Sequence, residues 1–124
     1  MNDTSGEFEQ AERCLRSCKL LMSDGDTLGA VKRLYYGLYH AARAALTYRD
    51  IEIPKTHSGL IARFGETFVR PGDIPSSLGR LLNHTEHLRL LSDYSGDQPD
   101  PASLPELVAQ AEAFLKVIHT LISN

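Results

Sequence analysis

The chain is poor in the features that mark secreted, membrane-spanning or nucleic-acid-coating proteins. It has two cysteines in 124 residues, Cys14 and Cys18. On a helix these lie one turn apart with nearly parallel Cβ directions, which is poor disulfide geometry. No second thiolate pair accompanies them, so a zinc site is not indicated and both read as small buried hydrophobes. No apolar run approaches the length of a membrane span. The opening residues MNDTSGEFEQ are acidic and polar, unlike a signal or transit peptide, and a cytoplasmic protein is expected. Positive charge is not in excess: 13 Lys and Arg stand against 16 Asp and Glu, a formal net charge of −3. A surface-wide polyanion binder is thereby excluded, and any contact with RNA must be local. The chain lacks a glycine-rich phosphate loop, a nucleophile elbow and a paired zinc motif, so neither a cofactor nor a metal is expected.

Strand-like alternation and internal repeats are missing too, and what remains is helical. Phe8, Ala11, Leu15, Cys18 and Met22 predict a first helix over about 6–23. Asp24-Gly25-Asp26-Thr27 combines a C-terminal glycine with an N-cap for a second helix over 27–49. Pro54 fixes the loop Ile51 to Thr56, and Thr56 caps a short helix over 57–69 that Pro71-Gly72-Asp73 ends. A helix over 75–95 places Leu78, Leu81, Leu82, Thr85, Leu88 and Ser92 on one side. Ser103 and Glu106 form a capping box for the last helix, where Leu104, Leu107, Ala111, Phe114, Ile118 and Leu121 keep unbroken three-four spacing. With 42% hydrophobic residues, residues 1–124 are expected to form a single all-α domain. Its expected architecture is an antiparallel up-and-down four-helix bundle with an additional short helix.

The second helix carries the most informative pattern, RLYYGLYHAAR at 33–43. Its three-four spacing sorts Arg33, Tyr36, His40 and Arg43 into one stripe. Leu28, Val31, Tyr35, Leu38, Ala42 and Ala45 form a packing stripe, and Ala30, Gly37, Ala41 and Ala44 a strip of small residues. Two guanidiniums beside a phenol and an imidazole suit a phosphate or a carboxylate. This predicts a helix covered on more than one face, with Arg33 and His40 partly enclosed. Lys55, Thr56 and His57 precede a helix N-terminus, which attracts anions, although Thr56 also serves there as a plain N-cap. On the fourth helix Glu86, Arg89 and Asp93 share a narrow arc near the apolar side, with Tyr94 after them. They read either as an intrahelical salt-bridge row or as a site facing a ligand or a second subunit. His84, His87 and Arg80 occupy the outer side of that helix, and no further ligand completes a metal site around the two histidines.

Three segments together resemble one known family: AVKRLYYGLYHAARAAL (30–46), PKTHSGLIARFGETFV (54–69) and LGRLLNHTEHLRLLSDY (78–94). In their order and spacing the chain is similar to the HEPN domain (higher eukaryotes and prokaryotes nucleotide-binding), in its small stand-alone prokaryotic branch. The resemblance implies a helical bundle, often a homodimer, in a toxin–antitoxin or defence setting. Active members cleave RNA without metal, using an arginine and a histidine a few residues apart, late in the domain, that meet their counterparts in a dimer cleft. The matching stretch here is Arg89 to Tyr94, with tyrosine where the histidine would stand. In that scheme Arg89 stabilises developing phosphate charge, Asp93 orients it, and Tyr94 or His40 handles the 2′-hydroxyl proton. Arg33, Tyr36, His40, Arg43, Lys55 and His57 are the candidate ligand-binding residues. The alternative is a non-catalytic HEPN module that docks a small nucleotidyltransferase partner and accepts its modification on Tyr94. The pairs Arg33–His40 and Arg80–His87 also fit the spacing, but about one such match is expected by chance.

Overall fold

The computed structural model describes residues 3–123. Five α-helices follow one another: α1 (Thr4–Ser23), α2 (Thr27–Tyr48), α3 (His57–Phe64), α4 (Ser76–Ser95) and α5 (Leu104–Ile122). They pack as an all-α up-and-down bundle, with no strand among the described residues. Nor, among these residues, is any helix long and apolar enough to cross a membrane.

The α1–α2 hairpin sets the geometry. Gly25 turns the chain at φ 81°, in the left-handed region that glycine enters without a Cβ penalty. Asp26 then caps α2, its carboxylate accepting from the Gly29 N–H at 2.9 Å. The strip of small residues faces α1. A Cβ on Gly37 would sit 3.3 Å from the Ala11 carbonyl oxygen and 3.4 Å from Cys14 Cβ, so the two helices approach almost to backbone contact. Cys14 and Cys18 are buried free thiols in this interface.

Because α2 also packs on α3, α4 and α5, it is the central element. Val31, Tyr35, Leu38, Ala42 and Ala45 are buried along the expected packing stripe, with Leu34 and Leu46 added. Leu28, at the first turn, is only partly covered. Phe64 stacks on Phe114 at 5.6 Å and thereby joins α3 to α5.

Two local expectations change. The helix expected over 57–69 is α-helical only to Phe64 and continues as a π-turn over Gly65–Val69. A single wide turn displaces the apolar spacing by one residue, too little to notice in a short segment. The capping box at Ser103 does not form. Asp100 caps a 3₁₀ turn, Pro101–Ser103, through the Ala102 N–H at 3.0 Å. Ser103 is then already helical in φ and ψ, and its hydroxyl donates to the Asp100 carbonyl instead. On α4, Thr85 and Ser92 lie on the buried side because their hydroxyls donate to carbonyls of the preceding turn.

Candidate functional site

The polar stripe of α2 divides into two environments. At its C-terminal end His40 and Arg43 both grip Glu7 of α1: His40 Nδ1 lies 2.9 Å from Oε2, and Arg43 Nε donates to Oε1 at 3.0 Å. A half-buried carboxylate between two nitrogen groups ties α1 to α2 across the bundle. Arg33 is exposed, contrary to the enclosure expected of it. Its length carries the guanidinium out along the surface, 6.0 Å from the Tyr36 ring and 3.9 Å from Cys14 Sγ.

Between these ends a second cluster forms from three helices. α2 brings Tyr35, Tyr36 and Tyr39, the start of α3 brings His57, and α4 brings Glu86, Arg89 and Asp93. Thr56 acts as the N-cap that fixes the start of α3, accepting from the Gly59 N–H at 3.0 Å. His57 is placed by that cap to stack on Tyr39, with centroids 4.6 Å apart, and its Nδ1 lies 2.7 Å from the Tyr35 hydroxyl. Burial, then the neighbouring Glu86, push the Tyr35 phenol far above its ordinary range. The phenol therefore stays protonated, and its hydroxyl shares one hydrogen bond with His57 Nδ1 whose direction follows the imidazole tautomer.

Arg89 is the centre of the cluster. Its NH2 donates to Glu86 Oε1 at 3.0 Å and its NH1 to Asp93 Oδ2 at 3.3 Å. Its guanidinium lies 5.2 Å from the Tyr35 ring centroid and 5.8 Å from that of Tyr36. Only 16% of the Arg89 side chain and 14% of the Glu86 side chain are exposed. Burial opposes the charge on Arg89, yet the hydrogen bond to Glu86 and its field outweigh it and hold the guanidinium above the ordinary arginine value. Glu86 Oε2 is buried without a hydrogen bond among the described residues, 3.7 Å from His57 Nδ1. The arginine thus faces other helices as well as making bonds within its own, so it is more than a surface salt-bridge row.

The remaining candidates are scattered. Tyr94 is 85% exposed at the end of α4. Lys55 is exposed and lines a shallow hollow with Asp50, Glu52 and Arg63, away from Arg89. His84 and His87 are exposed, and no metal-binding group of three or more His, Cys, Asp or Glu occurs among the described residues.

Sequence reasoning missed two participants. Lys32 of α2 reaches Asp93, with Nζ 2.9 Å from Oδ1. Nothing in the local sequence couples residues that far apart. Tyr35 was legible as a core residue, but its hydroxyl also orients His57.

Comparison with known proteins places these helices in a wider group. Residues 7–121 match the HEPN domain. The chain is 35% identical over 117 residues to a Methanocaldococcus jannaschii protein named Putative toxin MJ0605, an alignment covering 94% of this chain and 87% of that one. A UPF0332 protein of Thermotoga maritima is 32% identical over 117 residues, covering 93% and 87%. The UPF0332 protein glr0978 of Gloeobacter violaceus is 31% identical over 119 residues, covering 94% of both chains. A match that runs from α1 through α5 takes in every helix that builds the Arg89 cluster, and the chain belongs to the HEPN domain family.

Proposed function

We propose that this HEPN protein has a toxin-like role and binds a nucleotide or RNA at the Arg89 cluster, in a cleft completed by a second copy of the chain. The observation that carries this reading is the state of Arg89. It is a mostly enclosed guanidinium, fixed by Glu86, stacked over Tyr35 and Tyr36, and flanked by His57 and Lys32. Pre-oriented cations recognise phosphate, and the partly covered ring of Tyr36 can accept a base. Relatives named as toxins support the role. Leu91 and Tyr94 are left in water elsewhere on the surface of α4, and such exposed apolar side chains favour a second copy as cover.

For a cleavage step, His57 is better placed than the residues expected from the sequence. His40 is engaged by Glu7, and Tyr94 points into solvent. A 2′-oxygen attacking the adjacent phosphorus would pass its proton to an imidazole, the P–O5′ bond would break, and the leaving 5′-oxygen would take a proton from solvent. Arg89 would offset the charge developing on the phosphate oxygens.

A second reading follows from the exposure of Tyr94. A phenol in water at a helix end is open to attachment of a nucleotidyl group by a partner enzyme, the arrangement of a non-catalytic module with a nucleotidyltransferase antitoxin.

One experiment separates the two. Wild type, Arg89→Ala and Tyr94→Phe are expressed with and without the product of the adjacent gene, and growth, RNA integrity and intact protein mass are followed. RNA or nucleotide binding that falls by one to two orders of magnitude in Arg89→Ala supports the site, as expected for the loss of charge-assisted hydrogen bonds worth about 1.5–3 kcal/mol. A mass increase that Tyr94→Phe abolishes supports the modified module. Activity unchanged in both variants removes this face from consideration.

A further inference from the structure

The Arg89 network has an enclosed half and a solvent-facing half. Glu86 holds one edge of Arg89 inside the bundle. The other edge meets Asp93, whose carboxylate is shared between two cations from different helices. Oδ1 lies 2.9 Å from Lys32 Nζ on α2, and Oδ2 lies 3.3 Å from Arg89 NH1 on α4. The side chains of Asp93 and Lys32 are 30% and 40% exposed, about twice or more the value for Arg89. One anionic group, two oxygens and two converging cations reproduce the way a phosphate is held.

We propose that Lys32 and Arg89 form a two-cation phosphate site and that Asp93 is an internal occupant of it, displaced when a phosphate group binds. The proposal rests on the reading of Arg89 as the ligand-binding centre and adds to it a new ligand, Lys32, and a built-in competitor.

Three features make Asp93 the exchangeable member. Its contact to Arg89 is long for a charge-assisted hydrogen bond, which is usually about 2.7–2.9 Å. It sits in the last turn of α4, just before the left-handed Gly96 at φ 76°, where the helix dipole disfavours a carboxylate. It also faces water, so rotation about its side-chain bonds solvates the carboxylate and buries nothing. Glu86 has none of these properties and stays with Arg89 as the fixed counter-ion.

Charge balance gives the direction. Lys32 and Arg89 are cancelled by Glu86 and Asp93. Removing the Asp93 charge leaves a net positive site, whereas Asn at this position keeps the size and loses the competitor.

The test titrates two probes, AMP and an RNA octamer with a 5′-hydroxyl end, into wild type, Lys32→Ala, Arg89→Ala and Asp93→Asn by calorimetry. Thermal melts confirm that each variant is folded. The expected result is weaker binding by about tenfold or more in Lys32→Ala and Arg89→Ala, and tighter binding by about tenfold in Asp93→Asn. A gain for AMP alone assigns a terminal phosphate; a gain for both probes assigns a backbone phosphate. Weaker or unchanged binding in Asp93→Asn, with Arg89→Ala still impaired, overturns the competitor and leaves Arg89 as the binding centre. Equal binding by wild type and Arg89→Ala, or no binding of either probe by wild type and Asp93→Asn, overturns the site itself.

Discussion

Replacing Glu86 by glutamine tests whether the enclosed half of the cluster is built as described. The side chain keeps its shape and loses its charge, so Arg89 retains only Asp93, its longer-range partner. Removing one partner of a fully buried ion pair costs about 3–5 kcal/mol, and of an exposed pair about 0.2–1 kcal/mol. Arg89 lies between these limits. A little water reaches it, one carboxylate remains, and a glutamine oxygen can still accept from its NH2. The expected destabilisation is about 2 kcal/mol, a fall in Tm of about 8 °C for a chain of this length. A second consequence concerns Tyr35. Its phenol is raised first by burial and then by Glu86, so the substitution should bring its titration down only part of the way toward the ordinary range. The assay is thermal and urea unfolding of wild type, Glu86→Gln, Arg89→Met and the double variant. A coupling of about 1–2 kcal/mol between the two positions is expected. A Glu86→Gln variant that melts at or above the wild-type temperature, or a coupling near zero, would refute the argument that this pair stabilises the junction of α2 and α4.

Two further outcomes follow from packing and burial. Gly37→Val should cost about 1–3 kcal/mol, because its Cβ would start 3.3 Å from a carbonyl oxygen of α1 and its two methyls have no room between the helices; a Tm within about 2 °C of wild type would show that α1 yields easily. Burial pushes the Cys18 thiol from 9.0 up to about 11, so the folded state holds that proton more tightly than the unfolded chain. The resulting stability is full below pH 9 and is lost as pH rises to about 11. Cys18 should contribute a decline of up to about 3 kcal/mol across this window, which Cys18→Ala removes while the loss from the raised Tyr35 and Cys14 remains, checked by urea unfolding at a series of pH values.

Helix positions and the buried faces were legible in the sequence because both follow from local spacing. α2 shows this most clearly: its packing stripe, its small-residue strip and the capping segment 24–27 are all readable within a span of a few turns, and the structure uses them, with Asp26 as the cap and Leu28 alone of the stripe only partly covered. The segments that resembled a HEPN domain lie on the helices that the family match covers. Local spacing fails where two alternatives differ by one residue or one rotamer. The π-turn after Phe64 and the cap at Asp100 rather than Ser103 are both of that kind.

The candidate site was legible in part for a different reason. Helical periodicity put Arg33, Tyr36, His40 and Arg43 on one stripe, but it could not say what would face them. Glu7 of α1 takes His40 and Arg43, Arg33 runs out along the surface, and the enclosed centre forms around Arg89 instead. His57 and Lys32 join that centre only because α3 and α2 pack beside α4. The sequence alone determined which faces of each helix are apolar, small or charged, since those are properties of single helices. Which charges meet was decided by the tertiary structure, because pairings such as Lys32 with Asp93 and Tyr35 with His57 depend on how the helices pack against one another.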